Sequence, residues 1–172
     1  MTMKPTDHVL LQLLSAAINT QDPAFDRALS DSEWSLVYEQ AAKQGVLAVA
    51  WESVRRLPAD LQPARGLKLQ WAYGAEQIVS RSKKQMQEAT RFAAFCAEAG
   101  CRLILLKGIG LSRYYPFPLL RECGDIDILL PEGFEKGNEI ARSRGMRVSG
   151  LDYKHSHICS NGGMFESHRY LT

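Results

Sequence analysis

The sequence predicts an α+β fold: an N-terminal helical region followed by a small mixed β-sheet with helices on one face. Three observations predict it. Helix start and stop signals, with apolar residues three and four apart, run as far as Ala99. After Gly100 the apolar runs become short and are bounded by glycines and polar turns. The first of these runs alternate with helical segments, whereas the last follow one another directly. The expected organisation is a helical region over 1–99 and a sheet-containing core over 100–172.

Taken in order, "VLLQLLSAAI" at 9–18 is apolar but carries an early Asp7 and an internal Gln12, which suits an amphipathic helix better than a secretory signal. Asp22 followed by Pro23 suits an N-cap and first helical position, and "SDSEW" offers Ser32 as a second cap. "EWSLVYEQAAKQGVLAVAWESVRRL" spaces Trp34, Val37, Ala41, Val46, Val49 and Val54 near helical periodicity, with Gly45 and Gly100 as stops. From Pro63 to Ala99 a proline-free, Ala-, Gln-, Glu- and Lys-rich segment carries Trp71, Ile78, Met86, Phe92 and Phe95, a stripe read as core packing. Lys83, Lys84 and Arg91 on this segment read as a solvated helix face.

Beyond Gly100, "CRLILL", "DIDILL", "MRVSG", "KHSHICS" and "GMFESHRYL" read as strands. "GIGLSRYY" follows the first as a helix, its Tyr-Tyr-Pro packing against the sheet, and "PEGFEKGNEIARSRG" forms another from Pro131 to Gly145. The order is helices, then β-α-β-α-β-β-β.

Bulk properties narrow the function. At 172 residues and 45% hydrophobic content, the chain suffices for one domain with a real core or two small units sharing an interface. With 21 basic and 19 acidic side chains, no broad positive field exists to hold nucleic acid through its phosphates, so an anionic partner binds locally. Gln12, Lys107 and Asp127 interrupt the longest apolar stretches well before a membrane-spanning length, which predicts a soluble protein. Cys96, Cys101, Cys123 and Cys159 show no Cys-x-x-Cys spacing, as expected of reduced thiols in a cytoplasm.

The candidate chemistry lies between Leu105 and Arg169. Strand alternation points Asp125, Asp127 and Leu129 one way and Ile126, Ile128 and Leu130 the other. In "MFESHRYL" it likewise separates Glu166 and His168 from Phe165, Ser167 and Arg169. If these strands are neighbours, Asp125, Asp127 and Glu166 form an acidic cluster able to hold one or two Mg²⁺ or Mn²⁺ ions, a pattern suited to phosphoryl or nucleotidyl transfer. With eight aspartates in the chain, Asp-x-Asp alone has little specificity, so the weight rests on its apolar strand and the strand-Lys-Gly-helix unit before it. There Lys107 and Gly108 present a cation and free backbone N–H groups to a phosphate. The alternative is a solvated lysine beside a glycine chosen for turn geometry. Arg121 either neutralises phosphate charge or pairs with a carboxylate. His155, His157 and Cys159 share one strand face and with His168 offer Zn²⁺ ligands, though histidines bonded within the sheet fit that spacing better.

These residues resemble the polymerase-β nucleotidyltransferase superfamily, and more closely an uncharacterised bacterial nucleotidyltransferase family marked by Leu-Lys-Gly, Tyr-Tyr-Pro, Arg and Asp-Ile-Asp. Here those are Leu106-Lys107-Gly108, Tyr114-Tyr115-Pro116, Arg121 and "DIDILL". "EWSLVYEQAAKQGVLAVAW" and "HICSNGGMFESHRYL" extend the resemblance to about residues 30–172. It implies a polymerase-β-like fold and metal-dependent transfer of a nucleoside monophosphate from an NTP such as ATP to an acceptor. Asp125 and Asp127 would hold the metals, Glu166 would act as third carboxylate, and Lys107 and Gly108 would meet the NTP phosphates. Apart from the resemblance, the apolar runs argue against a membrane, and near-balanced charge argues mildly against a long nucleic-acid acceptor, with a local basic patch around Lys83, Lys84 and Arg91 as the alternative. Two features depart from the superfamily pattern: Ile109 stands where a serine usually follows the glycine, and the segment from Gly108 to Asp125 is longer. The close family also implies a longer chain, continuing into another helical region. The departures suit a second class of function, a module of this fold that binds a nucleotide or partner protein without catalysis.

Overall fold

A computed structural model describes residues 5–25, 27–150 and 152–170. Among them are six α-helices and five strands in the order α1 (Pro5–Ile18), α2 (Asp31–Lys43), α3 (Leu47–Val54), α4 (Arg65–Glu98), β1 (Ile104–Leu105), α5 (Ile109–Ser112), β2 (Ile126–Leu129), α6 (Phe134–Ser143), β3 (Arg147–Ser149), β4 (His155–Ser160) and β5 (Gly163–His168). Two compact units emerge: Met1–Ser80 with Tyr114–Glu122, and Arg81–Arg113 with Cys123–Thr172. None of the described helices is long and apolar enough to cross a membrane.

In the first unit, α2 is capped by Ser30 rather than Ser32. The Ser30 hydroxyl accepts the Glu33 N–H at 3.3 Å while the Glu33 carboxylate accepts the Ser30 N–H at 2.8 Å. This reciprocal Ser-x-x-Glu pairing satisfies two backbone donors, which Ser32 is out of register to do. A hydrogen bond from Arg27, then those from Ser30, lower the Glu33 pKa to about 2. Asp22 and Pro23 start no helix, because no apolar periodicity follows them before Ser30. Gly45, at φ +66°, breaks the next periodic run into α2 and α3. The core gathers Leu13, Trp34, Val37, Val54 and Trp71, all essentially inaccessible. Trp71 donates from Nε1 to the Leu47 carbonyl at 2.9 Å and meets Trp34 edge-on.

Helix α4 contributes to both units. Its buried positions are Trp71, Ala75, Ile78, Ser82, Gln85, Ala89, Phe92 and Cys96, in alternating steps of four and three. Met86, expected in this stripe, is exposed. One residue turns a helix by about 100°, so the seam that takes Gln85 carries Met86 outward. Lys83, Lys84 and Arg91 are exposed.

The second unit holds the sheet, ordered β1-β2-β5-β4-β3. Only the β2–β5 pair is parallel; β1–β2, β5–β4 and β4–β3 are antiparallel, so the sheet is mixed. Each expected strand segment contributes one strand; Leu171, at the end of the last, lies outside the described residues. On one face Ile126, Ile128, Ile158 and Phe165 are fully buried, with Phe92 of α4 5.1 Å from Phe165 between ring centroids. Asn138 of α6 accepts from the buried Ser156 hydroxyl at 2.7 Å on the same face. Fully burying each such aliphatic or aromatic side chain contributes about 1.5–3 kcal/mol.

Three local expectations change. Helix α6 begins at Phe134, not Pro131, because Gly133 at φ +117° redirects the chain before it. The segment after β1 makes only the four-residue α5, and Tyr114 and Tyr115 beyond it are exposed rather than packed. Asp125 lies just before β2 rather than in it.

Candidate functional site

The face opposite the core carries the polar side chains that alternation assigned to it. In parallel register Asp127 is the Cα partner of Glu166, and Leu129 that of His168. On the other side of β5, His157 pairs with Glu166 and His155 with His168. Two carboxylates and several imidazoles therefore share one surface, all of them partly buried.

Within it the tightest grouping is Asp127, Glu166 and His168, whose donor atoms all lie within 4.8 Å of one another. His168 Nε2 is 2.9 Å from Asp127 Oδ1 and 3.8 Å from Glu166 Oε1. Lys107 Nζ approaches the same Asp127 oxygen at 3.1 Å, from a side chain 61% exposed against 13% for Asp127. His155 Nδ1 sits 3.6 Å from Glu166 Oε1, and its Nε2 lies 3.5 Å from Asp152 Oδ2. Asp152 accepts the backbone N–H groups of His155 and Lys154, and these two bonds hold its pKa below the ordinary carboxylate range.

Backbone geometry explains Gly108. Its φ of +49° and ψ of −117°, with a 2.8 Å hydrogen bond from the Gly110 N–H to the Lys107 carbonyl, close a turn of the II′ kind. That turn requires glycine at its first central position. A Cβ would meet only the Asp125 carbonyl at 3.5 Å and Cys123 at 3.8 Å, so φ, not crowding, selects glycine. Helix α5 beyond it is one turn and has little macrodipole to offer an anion. Ser112 does not supply the hydroxyl that Ile109 lacks, since it is buried and donates to the Ile109 carbonyl at 2.7 Å.

Of the six residues singled out from the sequence, Asp127 and Glu166 lie together, Lys107 pairs with Asp127, and Gly108 shapes the turn that follows Lys107. Asp125 stands outside the three-donor group, its carboxylate without a hydrogen-bond or ion-pair partner among the described residues. Arg121 belongs to the first unit, its guanidinium 5.8 Å from the Tyr115 ring centroid. Cys159 lies beside Arg147 at 3.8 Å, outside the His168 group. Sequence reasoning missed two participants. His168 carries no assigned role in the sequence reading, although Glu-x-His on a strand already puts it on the side of the carboxylate. Gln85, buried on α4, donates to the Gly124 carbonyl next to Asp125, and no sequence signal marks that contact.

Two carboxylates and an imidazole converging beside a lysine make a donor set for one divalent cation next to a phosphate-compatible ammonium. Residues 30–172 match the model of a family described as uncharacterised nucleotidyltransferase. The chain belongs to this family. Membership supports nucleotidyl transfer as the general activity, and the α+β architecture with its mixed sheet agrees with a fold of that type. No curated protein and no solved structure matches the chain.

Proposed function

We propose that the chain transfers a nucleoside monophosphate from an NTP to an acceptor with the help of a divalent cation, as a member of the polymerase-β superfamily. The observation that carries the proposal is the parallel register of Asp127 and Glu166 on the open face of the sheet, with Lys107 on the same carboxylate. A bound divalent cation would supply charge neutralisation for the triphosphate. Asp127 and Glu166 fit such a cation, since two like charges within 4.8 Å repel unless a positive group lies between or beside them. Asp125, two residues earlier and partly buried, is available as a further oxygen donor once substrate is present.

In this reading the core lies in residues 100–172. Lys107, whose side chain is exposed, exchanges Asp127 for an NTP phosphate, while the Gly108 turn lets the backbone approach closely. The acceptor oxygen forms a bond to the α-phosphorus as the bond to the bridging oxygen breaks and pyrophosphate leaves. Glu166, the carboxylate that lies with Asp127, takes the acceptor's proton. The absence of Cys-x-x-Cys spacing among Cys96, Cys101, Cys123 and Cys159 suits a reducing cytoplasmic setting.

The test is calorimetric titration of each NTP into the chain with Mg²⁺ and again with EDTA. Saturable binding only with the cation is expected. Binding that ignores EDTA would remove the cation from the proposal. Absence of binding in both would favour a module of this fold without catalysis, a reading that Ile109 in place of serine independently suits.

A further inference from the structure

The oxygen donors of the proposed site do not form a three-carboxylate set. The third position beside Asp127 and Glu166 is held by His168, while Asp125 stands outside the group. His168 Nε2 faces both carboxylates, at 2.9 Å from Asp127 Oδ1 and 3.8 Å from Glu166 Oε1. Bonds of 2.0–2.2 Å to a common ion put two ligand atoms about 3 to 4.4 Å apart, so both separations suit sharing one. A histidine that only steadied Asp127 would need to face one acceptor. The neighbouring His155 contrasts with it: that ring contacts Glu166 and Asp152 and falls outside the three-donor group. The strand also limits alternatives, because His168 is 12% exposed and its alternation on β5 fixes it on the carboxylate side.

We infer that His168 is a metal ligand, and that the site consequently selects a divalent first-row transition cation over Mg²⁺. The inference rests on the proposed cation site and specifies its ligand chemistry. Mg²⁺ favours oxygen ligands in near-ideal octahedral geometry and keeps much of its water. An imidazole nitrogen suits borderline ions, whose affinity for nitrogen donors exceeds that of Mg²⁺. One nitrogen among two carboxylates shifts the balance without excluding oxygen-rich binding. Coordination also replaces the contact between His168 Nε2 and Asp127, so both groups turn toward the ion rather than toward each other.

The experiment uses the full chain with Mn²⁺ alone and with Mn²⁺ plus ATP, read by electron spin-echo modulation. Variants His168→Gln, His155→Gln and His157→Gln are compared, their folding checked by far-UV circular dichroism. Expected is ¹⁴N modulation from a directly bound imidazole in the parent, which needs no variant to detect, lost in His168→Gln alone. Competition should show Mn²⁺ bound at least tenfold more tightly than Mg²⁺, with that ratio falling severalfold in His168→Gln. Bound Mn²⁺ without ¹⁴N modulation, or modulation that survives in His168→Gln, overturns the histidine assignment and leaves the metal-dependent transferase intact. Failure of the parent to bind Mn²⁺ under either condition overturns both.

Discussion

Replacing Asp127 with Asn separates a cation site from a structural ion pair. The donor oxygens of Asp127 and Glu166 lie within 4.8 Å, where like charges repel by about 1 kcal/mol with water-like screening and about 3.5 kcal/mol at an effective dielectric near 20. Asn removes that repulsion while keeping the shape. It also removes the Lys107 pair, worth about 0.2–1 kcal/mol for so exposed a partner, and weakens the contact with His168 by about 1 kcal/mol. In EDTA the variant should therefore lie between about 1 kcal/mol below the parent and about 2 kcal/mol above it. With cation at a hundred times its dissociation constant the parent gains about 2.7 kcal/mol. For a chain of this size that raises the melting temperature by about 5 to 10 °C, and Asp127→Asn should lose most of the rise. Far-UV circular dichroism is the right probe, since Trp34, Trp51 and Trp71 all lie in the first unit and their fluorescence would not report the sheet. A variant destabilised by about 2 kcal/mol in EDTA, beside a parent indifferent to cations, would refute the reasoning and leave Asp127 as a partner for Lys107 and His168.

Gly108→Ala should cost about 1–3 kcal/mol in urea denaturation followed by circular dichroism, because φ is +49° there; Gly124→Ala, with open space around its Cβ, should change stability by less than about 0.5 kcal/mol. Ser30→Ala should cost about 1 kcal/mol in the first unit, read by tryptophan fluorescence in urea, through loss of the α2 cap. Burial pushes the Cys96 thiol up to about 11, so the fold favours its neutral form. The stability this contributes is fully present below the unfolded thiol's pKa and is lost as pH rises through 11; the urea midpoint should fall between pH 9 and about 11. At pH 8 a thiol reagent should reach Cys159 well before Cys96, whose modification should await unfolding.

What was legible followed from period. Alternation in "DIDILL" and "MFESHRYL" set Asp127, Glu166 and His168 on the polar face because one face of each strand is fully buried, leaving no freedom in side-chain direction. The register between those strands was not legible, since it depends on the pairing of distant segments; only the structure puts Asp127 opposite Glu166 and His168 one step further on. Met86 departs from expectation for a related reason: hydrophobicity marks only the large apolar residues of the segment, whereas the seam of α4 buries Ser82 and Gln85 as well. Ser32 and Pro131 failed locally. The Ser-x-x-Glu pattern already distinguished Ser30, and Gly133 at positive φ delays α6 where a proline signal suggested an earlier start. Gly108 carried both of its readings, turn and phosphate, and the geometry establishes the first.

The parallel pairing of β2 with β5 has a kinetic consequence. Strands β4 and β5 are joined by a tight reversal and can close early, as hairpins do within microseconds. The β2–β5 contact spans α6, β3 and β4, so its loop-closure entropy must be overcome before any contact repays it. Sequence separation therefore predicts that Asp127 meets Glu166 and His168 late in folding, after the hairpin that carries two of the three donors. An ion binding there would act mainly after the folding barrier, slowing unfolding more than it speeds folding, so the same side chains that gather a cation would also prolong the lifetime of the assembled sheet.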